Sequence, residues 1–363
     1  MAQTTRRHAD IFRERVFREV PGAVLVAIAL AVVVMGNGWT TRLAAVPWIV
    51  SLVLVGLPHG AADFSASRRA FRGGALLAVW TGYCVLMAAV AAGFVVAPVA
   101  SIVSFALLST WHFGDSHLDF DGDTPGAIHR PAAALARGGW VLAGPMIWWP
   151  ELTAAAANDL AAIASGGGEA NSVFPPAAIR TGGVILVAIT IVAIAAEGVT
   201  AGRRPDGDRG CIRLVTDSAV IAALGMLADP LFSVGCYFLL WHAWRQMDPL
   251  AGRILGQPPS SWAGLRRGLV GIHAAALPLL VPTWVTIAVF LHLTGTDFSA
   301  RRLALVTIAA YLVVTPAHEL LGQSLRDGPS ATRRRSRRDG TARAAWRAAA
   351  TSRTSPPVSL ARS

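Results

Sequence analysis

Four histidines stand near the ends of long apolar runs, where polar residues are few. They are His59, His112, His242 and His318. Imidazole is costly in hydrocarbon unless it is paired, hydrated or bound to a metal, so several at similar depth indicate one site. Imidazole nitrogens suit zinc, copper and iron, and an all-histidine site with open positions suits Fe(II) that must also bind dioxygen. For each histidine alone, the alternative is a hydrogen bond to a neighbouring helix.

Two polar side chains near these histidines are candidates for a catalytic role. Asp63 lies four residues after His59, on the same helical face if the helix continues, and could orient an imidazole. Arg245 follows His242 by three residues and needs an anionic partner, because an unpaired arginine in a membrane is expensive. Asp63 and Asp115 are the partners that we expect for it.

Aromatic residues surround two of the histidines. They could form a flat, apolar wall for a long hydrocarbon substrate. Ordinary packing, or anchoring at the membrane interface, is the alternative. The four candidates are Trp111, Phe113, Trp241 and Trp244. By contrast, His117 and His129 fall in an acidic stretch that we predict to be a polar loop with solvated histidines.

The composition predicts a surface that meets lipid. The chain of 363 residues is 54% hydrophobic and only 15% charged, whereas soluble domains carry about a quarter charged residues. Its net charge of +11 comes from arginines in short loops and in the C-terminal tail. Because this charge does not cover a folded polar face, nucleic-acid binding is disfavoured. The cysteines have no paired spacing and are expected to be small packing residues.

The apolar runs predict an all-α fold, a polytopic membrane bundle of about ten transmembrane helices, with eight to ten as the range. They cover residues 21–35, 43–57, 75–97, 99–111, 132–149, 177–196, 212–228, 231–244, 269–291 and 303–321. Several runs are shorter than the roughly 20 residues of a perpendicular span. These need flanking residues, or burial among other helices, to reach across. Residues 151–164 could form a short interfacial helix.

Arginine alternates between the loops, and this alternation predicts the topology. Under the positive-inside rule, both termini face the cytoplasm in a multi-pass protein of the cell membrane. All four histidines then lie at cytoplasmic helix ends. We divide the chain into a basic cytoplasmic N-terminus (1–20), a transmembrane helical domain (21–325) and an arginine-rich tail (326–363) expected to be disordered.

From these residues alone, two classes of function stay open. One is a metal enzyme. The other is transport, in which the histidines, with Asp63, Asp115 and Glu319, relay protons or bind a metal in passage. Transport predicts polar residues in both halves of the bilayer, whereas the outer halves of these runs are almost wholly apolar. The sequence contains no Gly-rich phosphate loop, His-Glu-x-x-His or Gly-x-Ser-x-Gly motif that would indicate a soluble enzyme.

The histidine motifs together resemble one family, the Brp/Blh or bacteriorhodopsin-related proteins, which are membrane β-carotene 15,15'-dioxygenases. The resemblance rests on Pro-His-Gly-x-x-Asp at His59, His-Phe-Gly at His112, Trp-His-x-x-Arg at His242 and Thr-Pro-x-His at His318. Each motif is short, but the four occur in order. They extend over most of the chain, from about residue 50 to 322.

This resemblance implies a non-haem Fe(II) bound by His59, His112 and His242, with His318 as a fourth ligand. It implies central cleavage of β-carotene with O2 to give two all-trans-retinal, a product that could pass to a rhodopsin. Family members commonly have a second histidine where this chain has Gln246, and an amide is a poor iron ligand. A divergent homologue acting on another carotenoid or isoprenoid lipid therefore stays open.

Overall fold

The described fold is helical, as the sequence predicts. The computed structural model describes residues 9–121, 128–165, 172–201, 207–293 and 299–327, and helix is the regular secondary structure in these ranges. The tail expected to be disordered lies outside the described residues from 328 onward. Of the predicted basic N-terminus (1–20), only residues 1–8 lie outside the described residues, because a helix begins at Ala9.

Four of the helices begin at a proline, which is favourable in a first turn because no hydrogen bond is lost there. In chain order they are α1 (Ala9–Met35), α2 (Gly38–Arg42), α3 (Val46–Leu54), α4 (Gly56–Ala61), α5 (Asp63–Ala70), α6 (Gly73–Val96), α7 (Pro98–Asp121), α8 (Arg130–Trp148), α9 (Pro150–Ala164), α10 (Pro176–Ala201), α11 (Gly207–Leu227), α12 (Pro230–Cys236), α13 (Trp244–Leu255), α14 (Trp262–Leu293) and α15 (Ala300–Asp327). Two stretches are π-helical: Arg15–Glu19 within α1, and Tyr237–Ala243, which joins α12 to α13.

Six helices of the described residues are long and apolar enough to cross a membrane, namely α1, α6, α10, α11, α14 and α15. They indicate a multi-pass membrane protein. In α7 and α8, polar and small residues lower the mean hydropathy, although both helices have about the length of a span. The count of about ten spans and the cytoplasmic position of the histidines stay predictions.

The second apolar run is not one continuous helix. Helix α3 ends at Leu54, Val55 has non-helical angles (φ −139°, ψ −40°), and α4 begins at Gly56. Pro58 explains the break, because its ring lacks an N–H and would clash with the carbonyl of Leu54, four residues earlier. The break places His59 on a short helix of its own.

Helix α7 is longer than the fourth apolar run and continues through the acidic stretch to Asp121. Our prediction of a solvated His117 in a polar loop is therefore wrong: this side chain lies on α7 and is only 4% exposed. The acids of this stretch have basic partners, as Asp115 does in Arg130 (2.5 Å). His129, which precedes α8, is exposed as expected.

Helices α7 and α8 approach each other closely because glycines form their contact. A Cβ atom on Gly138 would lie 2.0 Å from the carbonyl oxygen of Thr110, and one on Gly114 would lie 1.8 Å from that of Ala134. Small residues at such contacts let helix backbones pack where lipid provides no hydrophobic driving force. This packing fixes α7, and therefore His112, against the centre of the bundle.

Substituting Gly138→Ala should destabilise the protein by about 1–3 kcal/mol, because the added methyl group overlaps a backbone carbonyl that cannot rotate away. The measurement is unfolding of the purified chain in detergent. Gly82→Ala on α6 is the matched control, because a Cβ there meets nothing within 4 Å. Equal stability of the two variants would contradict the close packing of α7 and α8.

Candidate functional site

The structure brings the four histidines together from different helices. His59 comes from α4, His112 from α7, His242 from the π-helical segment and His318 from α15. The ring centroids of His112 and His242 are 4.8 Å apart. Those of His59 with His242 and with His318, and of His112 with His318, are 5.4–5.5 Å apart. We call these four residues the histidine cluster.

Local backbone irregularities accompany the histidine cluster. His242 lies in the π-helical turn, a rare conformation that often marks functional positions. The ring of Phe238, four residues earlier, stacks on that of His242 with centroids 5.4 Å apart. His318 follows Pro316, which lies inside α15 and removes a backbone hydrogen bond. Sequence reasoning found the prolines but not the π-helical turn.

Two of the rings are held by hydrogen bonds through Nδ1. His59 donates to the carbonyl oxygen of Val55 (3.2 Å), the residue at the break before α4. His112 donates to the Glu319 carboxylate (2.6 Å), which also accepts from Gln323 (2.9 Å). Each bond leaves Nε2 as the free nitrogen, and the Nε2 atoms of His112 and His242 are 3.2 Å apart. Glu319, which we noted beside His318, thus contacts a different histidine.

A cavity of about 210 Å³ opens beside the histidine cluster, and all four histidines line it. Its wall is mostly apolar, and helices distant in sequence contribute to it. The aromatic lining residues are Trp48, Trp80, Tyr83, Phe105, Phe113, Phe238 and Tyr311. Apart from Phe113, no sequence motif marks these aromatic residues, because lining one cavity depends on how the helices pack.

Helix α6 forms one wall of this cavity with a single stripe of side chains. Trp80, Tyr83, Cys84 and Met87, spaced three and four residues apart, all line it. Side chains on the opposite face are exposed, as Val85 is at 62%. Leu279, on α14, lines the cavity from another direction. The cavity is therefore separated from the lipid side of α6 by the thickness of one helix.

Three of the four aromatic residues that we expected around a substrate lie elsewhere. Only Phe113 of that set is in the cavity wall. Trp111 packs on the contact of α7 with α8. Trp244 donates to the Val16 carbonyl (3.0 Å), and Trp241 lies under the Arg245 guanidinium, 3.7 Å from it. These tryptophans are adjacent to cavity residues in sequence, but a neighbour on a helix points about 100° away.

Arg245 belongs to a buried charged cluster that lies one helical turn from the histidine cluster. Its Nη1 donates to His117 Nε2 (2.8 Å), and Asp217 lies 4.0 Å from its Nη2. Among the described side chains Asp217, and not Asp115, is its anionic neighbour. The side chain of Asp63, the other partner that we expected, lies outside the described part of the structure. We call this group the charged cluster, and its members are Arg18, His117, Asp121, Arg137, Asp217 and Arg245.

The family profile described as "BCD: Beta-carotene 15,15'-dioxygenase" matches residues 50–326. The chain belongs to this family. A relative from Halobacterium salinarum, "Probable beta-carotene 15,15'-dioxygenase Blh", is 29% identical over 240 residues, which are 62% of this chain and 67% of the relative. "Probable beta-carotene 15,15'-dioxygenase Brp" of the same species is 29% identical over 243 residues, 61% of this chain and 64% of the relative. No solved structure matches.

The donor type of these histidines suits a metal, and the spacing of one pair also does, although the four do not form a finished site. Among the described side chains, no group of three His, Cys, Asp or Glu residues is already arranged around a metal position. Two imidazole ligands about 2.1 Å from one metal at the tetrahedral angle would have their nitrogens about 3.4 Å apart. The 3.2 Å between His112 Nε2 and His242 Nε2 is close to this value.

Hydrogen bonding behind the cavity wall generates a test of the site's architecture in this dioxygenase-family chain. Ser51 Oγ and Tyr311 OH are 2.8 Å apart and both side chains are buried. Tyr311→Phe should destabilise the protein by about 1–3 kcal/mol, because the Ser51 hydroxyl loses its partner. Adding Ser51→Ala should cost little more. A double-mutant cycle from unfolding in detergent measures this, and strictly additive losses would contradict the bond.

Proposed function

We propose that this chain cleaves the central 15,15' double bond of β-carotene with O2 to give two all-trans-retinal. The observation that carries the proposal is the convergence of four histidines, three of them buried, on one apolar cavity, in a member of the β-carotene 15,15'-dioxygenase family. The reaction is balanced without another reductant, because each oxygen atom of O2 ends on one of the two separated carbons.

In this proposal His59, His112, His242 and His318 hold Fe(II), which when bound supplies the activation of dioxygen. The Val55 carbonyl and the Glu319 carboxylate orient His59 and His112 so that Nε2 is the nitrogen left for the metal. Such partners of metal-binding histidines fix the tautomer and raise ligand basicity. Imidazole also suits copper and zinc, so the metal itself is part of the proposal.

The cavity suits a long hydrocarbon that dissolves only in the bilayer. Its aromatic wall offers flat apolar surfaces to a polyene. In this proposal the substrate reaches the cavity from the bilayer, past α6, and does not pass through water. Burial of His59, His112 and His242 keeps water from the reacting carbons. The same geometry supports cleavage of another carotenoid or isoprenoid lipid, and the identity of the substrate is decided by experiment.

Replacing His59, His112 or His242 with alanine should lower retinal formation by about 100-fold or more, since losing a ligand costs at least as much as losing its hydrogen-bond partner. The full chain is expressed in a bacterium that accumulates β-carotene, and extracted pigments are measured. His129→Ala, at an exposed histidine, is the matched control. Wild-type retinal yield in all three variants, at equal membrane insertion, would sink the proposal.

Gln246 gives the same assay a second use. Bleaching of the colonies with appearance of retinal would establish the reaction and make Gln246 an allowed variation in this family. If the colour persists although the protein inserts and iron is supplied, Gln246→His separates two causes. Retinal formation by that variant would mean that the glutamine had cost the site its metal, and continued colour would mean that the substrate is another lipid.

Narrowing the cavity at the wall formed by α6 should slow cleavage of β-carotene. Met87→Trp adds bulk to the stripe that lines the cavity, and we expect a fall of about tenfold or more in retinal formation, the size of effect that a steric misfit of about 1.4 kcal/mol gives. Val85→Trp adds the same side chain to the exposed face of the same helix and should leave the rate near wild type. Equal rates for the two variants would argue against substrate binding in this cavity.

A further inference from the structure

A second and much smaller cavity lies between the histidine cluster and the charged cluster. Its volume is about 10 Å³, near the minimum that holds one water molecule. It shares Phe113 and His242 with the large cavity. The rest of its lining is Ser116, His117, Tyr237, Trp241, Arg245 and Gln246.

Four of the side chains that line this small cavity have a buried nitrogen without a hydrogen-bond partner among the described residues. The nitrogens are His117 Nδ1, Trp241 Nε1, His242 Nδ1 and Arg245 Nη2. All four side chains are at most 4% exposed. Buried polar atoms nearly always have a partner, so four unpaired nitrogens around one cavity indicate a small polar ligand.

We propose that this cavity binds one water molecule, which bridges His242 Nδ1 to Arg245 Nη2 and thereby orients the His242 imidazole. Ser116 and Gln246 contribute side-chain oxygen atoms to the same lining and can accept hydrogen bonds from the water. Arg245 and the water then position the His242 imidazole and act through it.

The hydrogen bonds on either side explain why a water fits better here than a fixed side chain. His112 donates Nδ1–H to Glu319, so in two neutral rings His112 Nε2 accepts from His242 Nε2–H. His242 Nδ1 must then accept a hydrogen, which water can donate and arginine can also donate. The proposed function requires both Nε2 atoms to bind a metal instead. In that state His242 Nδ1 carries the hydrogen and must donate it. Water can serve as either partner, whereas arginine can only donate.

The first test is a structure of the full metal-free chain at a resolution that resolves ordered waters. We expect density about 2.7–3.2 Å from both His242 Nδ1 and Arg245 Nη2. Absence of such density overturns the proposal. This observation uses the unaltered protein, so it does not depend on the folding of any variant.

The second test fills the cavity with Ser116→Val. We expect the density to disappear, the ¹⁵N resonances of His242 to shift as its tautomer balance changes, and Co(II) affinity to fall about tenfold. Ser104→Val, at an exposed serine of the same helix, is the matched control and should change none of these. Wild-type His242 resonances in Ser116→Val, with the variant folded, would overturn the orienting role.

These readouts separate the two proposals. If the unaltered chain binds no Co(II) but the water density and the ¹⁵N shift are both found, the water site stands and the metal in the proposed function fails. If Co(II) binds with equal affinity to both serine variants and no density is found, the water site fails and the metal proposal stands.

Discussion

Four imidazoles meet at one point, three of them buried, and the surrounding architecture supplies polar partners to them. The break at Val55 frees a carbonyl for His59. Helix α15 carries both Glu319, which accepts from His112, and the adjacent His318. An imidazole left unpaired in this interior would oppose folding. The chain irregularities around the histidines, a proline-induced break, a π-helical turn and a proline inside α15, are thus consistent with one requirement: polar side chains must meet at a place where regular helices would present apolar ones.

The charged cluster ties α7, which carries His112, and α13, which follows the π-helical segment of His242, to α1 and α11. Arg18 of α1 pairs with Asp121 of α7 and lies near Asp217 of α11, while Arg245 of α13 reaches His117. Buried ions are expensive unless they are paired and hydrogen-bonded, and removing one member leaves another uncompensated. Such a cluster is weak support for stability as such. It does fix the register of α1, α7, α11 and α13, since sliding one of them by a turn would separate the charges.

The sequence predicted the all-helical membrane fold, the family and the four histidines that meet, because apolar runs and motifs of polar residues within them are local signals. It failed where the answer depends on packing. Acidic residues after Trp111 suggested a loop, yet α7 continues because Arg130 and other basic residues neutralise them from neighbouring elements. Trp111, Trp241 and Trp244 adjoin cavity residues along the chain but point away, while Trp80 and Tyr83 on α6 carry no motif and line the cavity. The π-helical turn has no sequence signature that we could have used.

Under the proposed function, the single-helix wall formed by α6 determines which concentration sets the rate of substrate supply. Acyl chains then lie on one face of α6 and the cavity on the other. Occupancy of the cavity is governed by the mole fraction of the substrate in the lipid and not by its concentration in water. Encounter then takes place by diffusion in two dimensions. Products that are still lipid-soluble return to the phase from which the reactant came, so they compete for the same cavity until another protein removes them from the bilayer.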